Sequence, residues 1–302
     1  MSAKDNAWGP AHEIGHIHQL AIDWPSSTES SNNLFSNFIL YKLGKYCSRG
    51  TELNFPKAAD NRTTNSEGNI TGMTLSEAHC VLNRPWCNFG SNYQGENTEL
   101  HMRMNWQLWN YYHRCGHKTD FWQRLFKLMR ENRTSSNNPG VKQLLFARMA
   151  SEAAQEDLTE FFEMWGFFVT VDTQIDQYGS YQYTVTKEMI ENAKKAMAKY
   201  PKKAKPFYYL EDRKKGDIGL DTTPPDVGHY TQFQRIRPIT KDIKGNINGR
   251  EVSITNGDEA VAFELREKDA NGKLLYFSTF IKFEVPLTVS LTYAKLYAVH
   301  AD

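Results

Sequence analysis

The sequence predicts an α+β chain: a mainly helical unit to about residue 213, then a small β-sandwich over 214–302. Three observations carry that prediction. Apolar residues recur at helical spacing in segment after segment up to Tyr200. From about Tyr230 the pattern turns to short alternating runs, two of them joined by Asn271-Gly272, a pair that favours β-hairpins. Between the two textures lies turn and linker chemistry, Lys214-Lys-Gly and Thr222-Thr-Pro-Pro225.

The first helix is read over Trp8-Gly-Pro-Ala-His12-Glu13-Ile-Gly-His16-Ile-His-Gln19, with Pro10 suited to its first turn and Trp24-Pro25 closing it. Ile14, Ile17 and Leu20 are expected to pack behind it. It contains HExxH. On a helix, residues four apart share a face, so His12 and His16 can hold one metal ion. Glu13 stands beside them, suited to take a proton from water at the metal. A third ligand is offered by Glu29, at the start of a second helix marked by Leu34, Phe35, Phe38 and Ile39. Two histidines and a carboxylate leave a fourth position open, the layout of a catalytic zinc site. A carboxylate at a helix start is also favoured by the helix dipole, whatever else it does.

Further along, residues 48–73 read as a long polar loop containing two sequons, at Asn61 and Asn69, and residues 74–82 as a short helix. The stretch from Arg84 to Tyr93 is rich in aromatics and turns, and is read as packing over the helices. Residues 97–115 form a helix whose stripe of Leu100, Met104, Leu108, Trp109 and Tyr112 belongs to the core; His101, His113 and His117 are read as structural or exposed. Asp120 is expected to cap a helix over 121–130. Another helix runs through Phe146-Ala-Arg-Met-Ala-Ser151, and a third through Asp157–Gly166, ended by its glycine. A Lys- and Ala-rich helix spans Thr186–Tyr200. Beyond the linker, Val252–Thr255, Ala260–Arg266, Leu274–Phe277 and Tyr293–Val299 read as strands of an immunoglobulin-like sandwich.

Composition narrows the function classes. A formal net charge of +1 gives no electrostatic case for nucleic acid, and no apolar run approaches the ~20 residues needed to span a bilayer. The seven tryptophans and fifteen tyrosines are mostly core residues, a few being compatible with a sugar-binding cleft. Cys47, Cys80, Cys87 and Cys115 permit three pairings; Cys80 and Cys87 are near enough for a loop staple, and buried free thiols fit equally. No CxxC spacing supports a zinc knuckle.

WGPAHEIGHIHQ followed by ESSNNLFS resembles the enhancin-like, mucin-directed zinc peptidases, metallopeptidase family 60 of the gluzincin type. The stretches FARMASEAAQEDL with TEFFEMWGF, and VSITNGDEAVAFELRE through KLYAV, are similar to that family's downstream helices and C-terminal sandwich. The resemblance implies a zincin (gluzincin-like) domain over 1–213, with Zn2+ held by His12, His16 and Glu29, Glu13 as general base, and Gln19 and Asn33 in support. It implies hydrolysis of peptide bonds in mucin-like, O-glycosylated proteins by a secreted or cell-surface enzyme. Peptidases of this type set a small sheet before the zinc helix. That helix here begins about ten residues in, so the expectation is a chain without the upstream part of its catalytic domain or an export signal. An oxyanion donor is also needed, with His101, Tyr93 and Tyr111 as candidates. Two rival readings are a zinc peptidase acting on unglycosylated protein and a non-catalytic glycoprotein-binding module.

Overall fold

A computed structural model of the chain describes residues 7–19, 22–25, 27–42, 104–105, 108–114, 116–176, 178–202, 239–260, 262–278, 281–287 and 289–299. Leu20, Leu100, the 48–93 segment, the four cysteines, His101 and the linker over 206–225 lie outside the described residues.

Two helices begin the described chain, α1 (Trp8–His18) and α2 (Thr28–Lys42), packed against each other as a hairpin. The packing face of α1 is made of Trp8, Ala11, Gly15 and then Gln19, all buried. This corrects the expected role of Ile14 and Ile17, which are 49% and 68% exposed. Helical spacing places Ala11 and Gly15 on one side and the isoleucines on another, and the small side lets α2 come close. A Cβ on Gly15 would lie 2.1 Å from Asn32 Oδ1 and 3.0 Å from the Asn32 carbonyl oxygen, so only glycine permits this approach. Gln19 then ties the two helices at their junction, its amide donating to the Thr28 carbonyl (2.7 Å) and to Ser31 Oγ (3.1 Å).

A π-helical turn over Trp109–Arg114 replaces the regular helix expected there, while Met104, Leu108, Trp109 and Tyr112 are buried in the core as expected, and Tyr111 is buried with them. Helix α3 (Phe121–Glu131) follows. Asp120 stands at its N-cap position without accepting a capping hydrogen bond. Its backbone is not in the extended conformation that turns a cap side chain onto the helix amides, and its carboxylate faces Lys118 instead, 3.9 Å away. Helix α4 (Pro139–Ala154) is capped by Asn138, whose Oδ1 accepts from Gly140 N, and has Pro139 at its first turn. Helix α5 (Thr159–Met164) ends as its sequence predicts, Gly166 taking φ +77° just beyond it.

The next element has no counterpart among the elements expected from sequence. Strands β1 (Val171–Asp176) and β2 (Ser180–Val185) form an antiparallel hairpin. Its inner residues Ile175, Tyr183 and Val185 share a cluster with Leu144 of α4 and with Ile190 and Ala193 of α6 (Lys187–Met197). Asn138 pins the base, exchanging hydrogen bonds with the Thr184 backbone at 2.9 Å each way.

Among the described residues from 239 on, six strands form two three-stranded antiparallel sheets. One has the order β3 (Lys244–Asn248), β4 (Glu251–Thr255), β7 (Lys282–Glu284); the other β6 (Leu274–Ser278), β5 (Ala262–Glu267), β8 (Ala294–Val299). Alternate residues from both, among them Val252, Ile254, Phe263, Leu265 and Phe283, fill one apolar cluster. Strands β5 and β6 pair as expected, but the turn spans Lys268 to Lys273 rather than Asn271-Gly272 alone. The register shifts at Arg266, whose side chain is held inward by Glu264.

The main helical core gathers Trp24, Leu34, Tyr112, Phe121, Phe146, Phe162 and Trp165, and it also takes in Val299 of β8. Arg266 makes a second link: its guanidinium reaches Glu264 (2.6 Å), the Gly272 carbonyl (2.8 Å) and, at 3.5 Å, Glu160 of α5.

Candidate metal centre

Helix α1 carries His12 and His16 on adjoining turns, and the first turn of α2 brings Glu29 to them. His12 Nε2 lies 3.4 Å from Glu29 Oε2, and His16 Nε2 lies 3.9 Å from Glu29 Oε1. Among the described residues this is the group that could hold a metal, its three donor atoms all within 4.8 Å of one another. The spacing can be tested against zinc: a tetrahedral ion with donors at 2.0–2.2 Å separates its ligand atoms by about 3.4 Å. The His12–Glu29 separation matches that spacing, the His16–Glu29 one exceeds it by about half an ångström, and two imidazoles with one carboxylate are a donor set that suits zinc with one position left over.

The second layer of contacts selects which imidazole nitrogens face inward. Asn33 Oδ1 lies 2.8 Å from His12 Nδ1. An amide oxygen only accepts, so Nδ1 carries the proton and Nε2 faces Glu29. Asn32 Nδ2 lies 3.0 Å from His16 Nε2, and an amide nitrogen only donates, so the lone pair of His16 also stands at Nε2, where a metal would take the place of this hydrogen bond. Trp8 stacks on the His12 ring with centroids 5.0 Å apart, fixing its plane. Asn33, singled out from the resemblance, thus contacts His12, while Asn32, its neighbour, was not singled out from sequence.

Charge is concentrated here. The Glu29 carboxylate, first through its contact with His12, raises the His12 pKa above the ordinary 6.5 against the opposing effect of burial. In return, His12 and then the Tyr178 hydroxyl hold Glu29 below the usual carboxylate range. The negative charge that favours a proton on His12 would equally favour a metal cation between the rings, the two competing for the same nitrogen. Glu13 lies on α1 beside His12 and is exposed.

Of the expected oxyanion donors, Tyr111 is buried and stacked on His117 (4.1 Å), so it belongs to the core. His101 and Tyr93 lie outside the described residues. His113 stacks on Trp109 and bonds the Thr119 carbonyl, and His117 stacks on Tyr111, the structural roles read for both.

This arrangement has relatives. Residues 1–166 match the family described as Peptidase M60, enhancin and enhancin-like, and residues 242–302 match the Peptidase M60 C-terminal domain. The chain belongs to the M60 family. Two solved metallopeptidases are each 55% identical to it. One is a metallopeptidase from Bacteroides thetaiotaomicron, similar over 99% of this chain and 49% of that one, with a TM-score of 0.74. The other is a metallopeptidase in complex with Tn antigen, similar over 100% of this chain and 54% of that one, with a TM-score of 0.69. A curated relative, the TRPM8 channel-associated factor homolog of Xenopus laevis, is 27% identical over 171 residues, 53% of this chain. The M60 chain described here spans about half the length of the solved relatives and 15% of the curated one. Its helices, followed by a β-rich C-terminal region, are the M60 fold. Among the described residues, no helix is long and apolar enough to cross a membrane.

Proposed function

We propose that this chain carries the zinc site of an endopeptidase that cuts mucin-like, O-glycosylated proteins. The observation that carries the reading is the triangle of His12 Nε2, His16 Nε2 and Glu29, with Asn33 fixing the His12 tautomer. In this reading His12, His16 and Glu29 are the ligands. A zinc ion held there supplies Lewis acidity, lowering the pKa of water towards ~7 and polarising a peptide carbonyl. Glu13 accepts the proton of the attacking water and delivers it to the departing amine. Asn33 keeps His12 in the metal-binding tautomer throughout.

The glycoprotein class is supported by the kinship, including the relative solved with Tn antigen. Substrates of that kind put the enzyme outside the cell, secreted or at the surface. Over 214–302 we read an immunoglobulin-like sandwich that follows a 1–213 zincin domain; the apolar cluster shared by the two sheets supports it.

The test is zinc content per folded chain beside a His16→Ala control, followed by cleavage of one peptide with and without its O-glycan. Stoichiometric zinc, lost in His16→Ala, and cleavage of the glycosylated peptide alone are expected. Equal cleavage of both peptides replaces the substrate class with plain protein. Glu13→Gln abolishes hydrolysis while zinc stays bound; survival of cleavage in that variant removes Glu13 from its role.

A further inference from the structure

From the tip of the β1–β2 hairpin, Tyr178 reaches the proposed metal centre. Its hydroxyl donates to Glu29 Oε1 at 2.8 Å, across 149 positions of sequence. Two features set this contact apart from an ordinary surface tyrosine. Tyr178 has φ +53°, in the left-handed region that bulky residues rarely adopt. It is also 71% exposed, so burial of the ring does not account for its placement. Backbone strain of this kind persists where the surroundings over-determine it, and it gathers at functional sites.

The hairpin is built to hold its tip still. The base is locked by Asn138 and by Ile175, Tyr183 and Val185 in the cluster beneath. Gly140 lets α4 press against it, since a Cβ there would lie 2.3 Å from the Thr184 carbonyl oxygen. Across the strands, Gln182 bonds Asp172 at 2.7 Å and Thr184 bonds the same carboxylate at 3.1 Å. Gly179 beside Tyr178 has φ +151°, and its open side faces the Tyr181 ring. A rigid element therefore delivers one hydroxyl to one carboxylate oxygen.

We infer that Tyr178 is a positioning residue: by occupying Oε1 of Glu29 it leaves Oε2, the oxygen nearer His12, as the single carboxylate atom offered to the metal. The inference rests on the proposed function and deepens it. A carboxylate free to rotate binds through one oxygen or both; one fixed by an outer hydrogen bond is committed to one geometry. The fourth position, needed for water and substrate, is then kept from being filled by the second oxygen of the site's own glutamate.

The test compares the 302-residue chain with Tyr178→Phe, which removes the hydroxyl and keeps the exposed ring. Zinc affinity is measured by competition with a chromogenic chelator, the cobalt(II)-loaded protein by its visible spectrum, and the metal-free protein by thermal melting. Expected are zinc affinity lowered about 10–100-fold, weaker cobalt bands as Glu29 turns to two-oxygen contact, and an unchanged metal-free melting temperature. Wild-type affinity and spectrum in Tyr178→Phe overturn the inference while leaving the zinc reading intact. So does a variant whose metal-free melting falls in step with its affinity, which makes Tyr178 structural. Absence of zinc uptake by the wild-type chain overturns the zinc reading, and this inference with it.

Discussion

His12 and Asn33 face each other across the α1–α2 hairpin, Nδ1 to Oδ1 at 2.8 Å. An outer partner of this kind sets the tautomer of a metal-binding histidine. Asn33→Ala is expected to lower zinc affinity about 10–100-fold, while Asn33→Asp, which keeps an acceptor at the same place, restores most of it. A chelator-competition titration of the three proteins checks this, with nitrogen NMR of the imidazoles reporting the tautomer directly.

Gly15 inverts a general rule. Alanine in a helix interior is ordinarily better than glycine by about 1 kcal/mol. Here the added methyl would meet Asn32 at 2.1 Å and force the two helices apart. Gly15→Ala is expected to lose about 1–3 kcal/mol, the scale of overpacking, and to weaken zinc binding. Gly9 supplies the contrast, since a methyl group added there would meet nothing within 4 Å. Gly9→Ala is expected to be neutral or stabilising. Urea denaturation of the pair separates the two directions.

Much of this site was legible because it is local. Histidines four apart share a helix face by geometry alone, and Glu29 opens the helix that follows. The pairing of α1 with α2 depends on glycine, alanine and asparagine, which carry little apolar weight. Hydrophobic patterning therefore assigned the buried face to Ile14 and Ile17, and both are exposed. The hairpin bearing Tyr178 has alternating runs on either side of Gly179, a readable pattern. Its contact with Glu29 has no local trace, since tertiary structure alone brings the two together. In the C-terminal region β4, β5, β6 and β8 followed from alternation, whereas β3, β7, the inward turn of Arg266 and the longer loop after it did not.

Glu156 gives the stability a pH dependence of defined sign. Burial raises its carboxyl pKa above the ordinary 4.5, against the Tyr112 hydroxyl that donates to it at 2.9 Å and the nearby positive groups of His117 and Lys118. The folded state then binds more protons than the unfolded state between 4.5 and the raised value. Stability falls as pH rises through that window, and the loss is complete above it. Glu156→Gln, whose amide oxygen still accepts from Tyr112, removes this component. Melting temperatures from about pH 4 to 8 should show the wild type losing ground to the variant as pH rises.

Arg266 is 2% exposed and lies against Glu264, equally buried, and Glu160. Removing one member of a buried pair leaves the other charged and desolvated. Arg266→Ala is expected to cost about 3–5 kcal/mol, and the double change Glu264→Gln with Arg266→Met to recover part of that. Guanidinium denaturation of the single and double variants tests both statements.

Val299 of β8 lies in the same apolar core as Trp24, between the two metal-centre helices in sequence, and Leu34 of α2. During synthesis, the residues proposed to hold zinc leave the ribosome long before the strand that completes the core behind them. Until that strand emerges the α1–α2 hairpin is a histidine- and glutamate-bearing segment without its full packing. A ribosome stalled before residue 299 therefore displays helices whose sequence is complete but whose interior still lacks one residue of its core. Strand β8 thereby ties the consolidation of the helical core to a segment made long after it.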